Sequence, residues 1–167
     1  MNGVQYDISH IVRDSFKQIT EHCSYWRCFI WKKFVNNAFI YAILAMAGGV
    51  FYREFTKFCG FTKWTALSVV HTHYFILGMM FFLVLDLVEK NIHFMDQKTN
   101  RAVIGYHAGL NITAIMLFIR GVLQVTAADI LSHGMDAAIS GIGGIGHLVL
   151  GVSMIMILLA IKKNCEE

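Results

Sequence analysis

The sequence predicts an all-α integral membrane protein, a four-helix bundle preceded by an N-terminal amphipathic helix on the membrane surface. Three observations predict it. The 167 residues are 56% hydrophobic and only 15% charged, with a mean hydropathy of +0.56, above the apolar share of an ordinary soluble domain. The apolar residues are gathered into four long runs, and the chain contains no proline. Each run is long enough to cross a hydrocarbon layer of about 30 Å, which takes roughly 20 helical residues. Isolated strands would leave backbone groups unpaired in lipid, so the runs are expected to be helices.

The N-terminal segment comes first. In "YDISHIVRDSFKQIT", Ile8, Ile11, Val12 and Phe16 share one helical face, with Arg13, Asp14 and Lys17 elsewhere. Such a helix is expected to lie in the interface, or to dock a partner. "CSYWRCFIWKK" follows, with Trp, Tyr and Lys suited to the headgroup zone. A compact apolar stretch with a small-residue cleavage site is missing from the first 30 residues, so no cleavable leader is expected. Residues 1–33 are thus set apart from a transmembrane bundle over 34–167.

The spans are predicted within 34–52, 64–88, 102–126 and 137–161. Basic residues orient them. Arg13, Lys17, Arg27, Lys32 and Lys33 precede the first span, Lys90, Lys98 and Arg101 lie between the second and third, and Lys162 and Lys163 follow the fourth. The opposite side has Arg53, Lys57 and Lys63, with no Lys or Arg between the third and fourth spans. Both termini are therefore expected in the cytoplasm, with the protein in the cell membrane. The net charge of +3 reflects this bias, and no basic stripe of the kind that binds nucleic acid is present. Cys23, Cys28, Cys59 and Cys165 are expected to be unpaired thiols, since Cys23 and Cys28 have no second pair with which to hold zinc.

Polar groups inside membrane spans are costly and point to function. His73 lies roughly 13 Å below Trp64, and His147 roughly 15 Å below Ala137, at 1.5 Å per helical residue. Arg120 lies roughly 9 Å from the outer end of the third span, with Gln124 above it. Two imidazoles and a cation are thus expected in the same outer half of the membrane. His107, one turn from Asn111, is separate and lies near the inner end of the third span.

A b-type haem would use this pattern. It needs one or two neutral imidazoles for iron, an apolar slot for the ring, and cations near water for its propionates. His71, His73 and His147 are the candidate iron ligands, and Arg120 and Arg53 the candidate propionate partners. Ser140, Gly144, His147 and Gly151 are spaced to share one face, smooth apart from the imidazole, against which a flat ring or another helix would lie. Such small residues also serve simply to pack membrane helices, and Arg120 would also reach the headgroups by snorkelling.

In "VVHTHYFILGMMFFLVL", His71 and His73 differ by about 200° in direction on a helix, so they cannot clip one metal ion. This stretch resembles the tenth helix of the catalytic subunit of haem-copper oxidases, where a His-x-His pair is followed by an aromatic residue. "GLNITAIMLFIRG" and "ISGIGGIGHLVLGVSMIMI" are similar to the last two helices of that subunit. The resemblance implies that His71 matches the ligand of the high-spin haem and His73 that of the low-spin haem. It also suggests a homotrimer, which would supply the twelve helices of the oxidase subunit, with a haem held by His71 of one protomer and His73 of its neighbour. A copper site with three histidines has no counterpart here, which argues against dioxygen reduction. "YREFTKFCGFT", "VVHTH", "IRGVLQV" and "AAISGIGGIGH" resemble a small, uncharacterised bacterial family of four-span membrane proteins.

The expected function is that of a membrane haem protein. Two imidazole ligands would favour electron transfer with quinol or a redox protein, and one would favour binding of a diatomic gas. Two other classes compete. One is a proton or ion relay, or transporter, that uses the same His and Arg side chains without a cofactor; the other is an assembly or accessory subunit of a respiratory complex.

Overall fold

A computed structural model describes residues 8–126 and 133–165, with side chains from 33 to 126 and from 134 to 165. It is all-α. Helix α1 spans Ile8–Phe58, α2 Leu67–His73 and α3 Phe81–Ile92, with a π-helical segment Tyr74–Met80 joining the latter two. Helices α4 and α5 span Gln97–Thr126 and His133–Cys165. Four segments are long and apolar enough to cross a membrane: Lys33–Phe58, Leu67–Ile92, Gln97–Thr126 and Gly134–Cys165. The amphipathic face at Ile8, Ile11, Val12 and Phe16, with Cys23 and Cys28, lies outside the described side chains. The backbone there continues without a break into the first span.

Local chemistry sets the ends. Helix α1 stops at Gly60, whose φ of +62° suits a residue without a Cβ. Phe61 N–H donates to the Thr56 carbonyl at 2.9 Å and Gly60 N–H to Lys57 at 3.2 Å, the paired bonds of a Schellman end. The second span begins under Gln124, whose side-chain oxygen accepts from Ala66 N–H at 2.8 Å. At its other end His93 takes φ 53°, and its Nδ1–H donates to the Glu89 carbonyl at 2.8 Å. Asp96 Oδ1 accepts from Thr99 N–H at 2.6 Å and caps α4. Glu89 is buried and holds Met95 N–H at 3.1 Å, while Asp86 pairs with Lys90 at 3.1 Å.

The core lies between α1, the second span and α4, built on Phe34, Tyr41, Phe82, Leu85, Tyr106 and Leu110. Helices α4 and α5 pack most closely. A Cβ at Gly109 would come within 2.5 Å of the Leu150 nitrogen, and one at Gly146 within 2.7 Å of Thr113 Oγ1. Only glycine allows backbones so near, as is usual where membrane helices pack by small residues. The packed face of α5 carries Gly146, Leu150, Ser153 and Ile157. The neighbouring face, with Ser140, Gly144 and His147, points outward. Phe39, Met46, Ile76, Leu148 and Leu159 are among many large apolar side chains exposed around the bundle, as lipid contact requires.

Candidate functional site

His73 stands at the last turn of α2, where the winding loosens into the π-helical segment. π-Turns inside helices are often found at functional positions. Its Nδ1–H donates to the Val69 carbonyl at 2.8 Å. On α5, His147 Nδ1–H donates in the same way to the Gly143 carbonyl at 3.0 Å. These bonds fix one tautomer on both rings: Nδ1 carries the hydrogen, and Nε2 keeps its lone pair. The two rings meet edge to face, with centroids 5.8 Å apart and planes at 81°.

A cleft of about 210 Å³ adjoins His147, lined by Thr113, Met116, Arg120, Ser140, Gly143 and Gly144. A Cβ added at Gly144 or Gly151 would meet nothing within 4 Å, so this side of α5 is open. Arg120 reaches Asp136 with Nη2, at 3.0 Å from one carboxylate oxygen and 3.2 Å from the other. Arg120 Nε and Thr113 Oγ1 are buried and have no hydrogen-bond partner among the described residues.

Of the candidates from sequence, His73, His147, Arg120 and Gly144 therefore come together, and Gly151 lies one turn further along the same open face. His71 does not join them. It points to the opposite side of the helix, as the angular spacing requires, with its ring 3.7 Å from a Cβ placed on Gly49 of α1. Its Nδ1 is buried without a partner. Arg53 is exposed near the C-terminal end of α1, 3.9 Å from Glu54, and is not part of the cleft lining. Asp136 was not among the candidates; its acidic side chain at the start of the fourth span, opposite Arg120, is the signal that could have found it.

A second polar cluster forms around His107. Tyr41 Oη lies 2.6 Å from its Nδ1 and the Asn37 side-chain amide 3.1 Å from its Nε2. Asn111 donates to Tyr41 Oη at 3.1 Å and accepts from Tyr74 Oη at 3.3 Å. The imidazole is stacked on Phe82, with centroids 4.5 Å apart. His107 and Asn111 were legible as intramembrane polar groups. Their partners on α1, Asn37 and Tyr41, are four residues apart inside an apolar run.

Among the described residues no three His, Cys, Asp or Glu side chains converge to hold a metal ion. The two imidazoles alone are too few for a bare zinc ion, which takes four ligands. Each keeps an Nε2 lone pair, the form in which imidazole ligates a metal.

Neither the curated proteins nor the solved structures contain a match to the chain. A family model does match, over residues 31–164, which cover all four spans. The chain therefore belongs to the family described as a protein of unknown function, DUF2871.

Proposed function

We propose that this multi-pass membrane protein is a b-type haem protein, related to the catalytic subunit of haem-copper oxidases, that works in electron transfer. The observation that carries the reading is the pairing of His73 and His147, 5.8 Å apart with each Nδ1 tied to its own helix. In this reading His73 and His147 would hold the iron, the open surface at Gly144 and Gly151 would lie beside the ring, and Arg120 would meet a propionate. Bound haem would supply a one-electron couple, and ligation by two imidazoles favours that use over gas binding.

The protein's own part is to hold both rings in one tautomer, keep water from the metal and offer a cation toward the membrane boundary. The cleft of about 210 Å³ is smaller than the roughly 300–1,000 Å³ of enclosing small-molecule pockets. A haem there would extend beyond one protomer, toward lipid or a second copy. This favours the homotrimer, in which the outward face of α5 would meet a neighbour, and His71 would be free to serve a site shared between protomers. The electron partner is a quinol or a redox protein in the cell membrane, and both termini are assigned to the cytoplasm from the charge distribution.

The test is haem content and the reduced spectrum of the purified protein, with His73→Ala and His147→Ala beside it. Loss of the haem signal in both variants supports the pair as ligands. Retention in both rejects it.

A further inference from the structure

The cluster around His107 is apart from the haem reading and does a different kind of chemistry. Lys33, Asn37 and Tyr41 are four residues apart on α1 and so share one face. Lys33 is exposed at the end of the span, Asn37 is half-buried and Tyr41 is buried. Polar groups thus descend from the membrane boundary to the imidazole, on the side of the membrane that carries the 93–96 turn. We propose that His107 is a reversible proton-binding site inside the membrane, filled along this face of α1.

The imidazole has a polar partner at each nitrogen, unlike His71, His73 and His147. When the ring is neutral, Tyr41 O–H donates to Nδ1 across 2.6 Å. When it is charged, Nδ1–H donates to the Tyr41 oxygen. Nε2–H donates to Asn37 in both states, with the amide turned to present its oxygen; amide oxygen and nitrogen exchange places without moving the side chain. A hydronium O–H bond breaks and leaves water, the Nδ1–H bond forms, and the Tyr41 O–H turns away from Nδ1 so that its oxygen accepts. No other bond changes. Asn111, itself held by Tyr74, keeps the Tyr41 oxygen in place.

The rings of Phe82 and Tyr41 are stacked on the imidazole at 4.5 and 5.6 Å, within the about 6 Å over which an aromatic face attracts a cation. Lys33, exposed on the same face of α1, is the charged group at the mouth of this path. Tyr41 from α1 and Tyr74 from the second span, through Asn111, are the titratable groups that complete its surroundings. No carboxylate is bonded to it among the described residues.

The test uses the full chain in lipid nanodiscs, with no haem needed, labelled with nitrogen-15 at histidine. The His107 signals are identified by their loss in His107→Gln. The expected result is reversible titration, with both ring nitrogens protonated at the acid end. Asn37→Leu removes the acceptor for Nε2–H and is expected to lower the midpoint by a pH unit or more, a tenfold loss in proton affinity. A single neutral tautomer held across the whole range would overturn the proposal, as would a midpoint indifferent to Asn37→Leu.

Discussion

His73 and His147 come from two different spans, yet their imidazoles meet edge to face with centroids 5.8 Å apart. Each ring is locked by a bond from Nδ1 to the carbonyl one turn before it. Each bond leaves the Nε2 nitrogen of its ring with a lone pair.

Gly144 and Gly109 should behave in opposite ways. A side chain at Gly144 meets nothing within 4 Å, so Gly144→Leu is expected to leave the melting temperature of the bundle unchanged. It would obstruct the open face beside His147, and haem content should fall severalfold. Gly109→Val would drive its Cβ to within 2.5 Å of backbone and should cost at least the roughly 1–3 kcal/mol typical of overpacking. Thermal melts and haem content of the two variants, measured side by side, check both statements.

Arg120 and Asp136 form a half-exposed ion pair, and such pairs contribute about 1 kcal/mol or less. Asp136→Asn should therefore hardly change stability. It would release the guanidinium for an anionic ligand, so haem retention during dilution is expected to rise. Arg120→Gln should lower it. The dissociation rate of haem to an apo-globin acceptor gives the comparison.

The apolar runs, the four spans and the opposed directions of His71 and His73 could all be read from residues 34–165. Composition and helical spacing are local, and lipid leaves few alternatives for backbone hydrogen bonds. The level of His73 and His147 in the membrane could also be read, because rise per residue fixes depth. What sequence could not supply was rotation. Ser140, Gly144 and His147 share a face, but whether it packs on α4 or points outward depends on competition with Gly146, Leu150, Ser153 and Ile157. The second set won, because Gly109 of α4 admits Leu150 and Thr113 closes on Gly146. Asn37 and Tyr41 were missed for a related reason: a polar residue in an apolar run reveals its purpose only once its partner on another helix is known.

Tyr106 is fully buried and donates its hydroxyl hydrogen to the Leu77 carbonyl at 2.7 Å. That carbonyl lies in the π-helical segment, where the looser winding disturbs the ordinary ladder. Tyr106→Phe is expected to cost about 1 kcal/mol. Hydrogen exchange should quicken most at 74–81, and an effect spread evenly over the bundle would speak against a local role.

The turn at 93–96 should give the protein an acid-sensitive element outside the membrane. Asp96 caps α4 through Thr99, and these hydrogen bonds hold its carboxyl below the ordinary value of 3.8. Because the folded-state value is the lower one, the stabilisation is present above pH 3.8 and is lost as pH falls through the folded value. Asp96→Ala should therefore melt earlier than the parent protein at neutral pH, and the gap should close in acid. Melting curves of both proteins from neutral pH into acid check this.

The most direct measurement is the optical spectrum of the detergent-purified protein, oxidised and then reduced with dithionite, beside His71→Ala, His73→Ala and His147→Ala. A sharp reduced α-band of b-type haem should be present, lost in His73→Ala and in His147→Ala and kept in His71→Ala. Loss in His71→Ala and His73→Ala but not in His147→Ala would move the haem to a site shared between protomers. Well-folded protein from haem-replete cells that is colourless and takes up no added haemin would contradict the haem reading altogether.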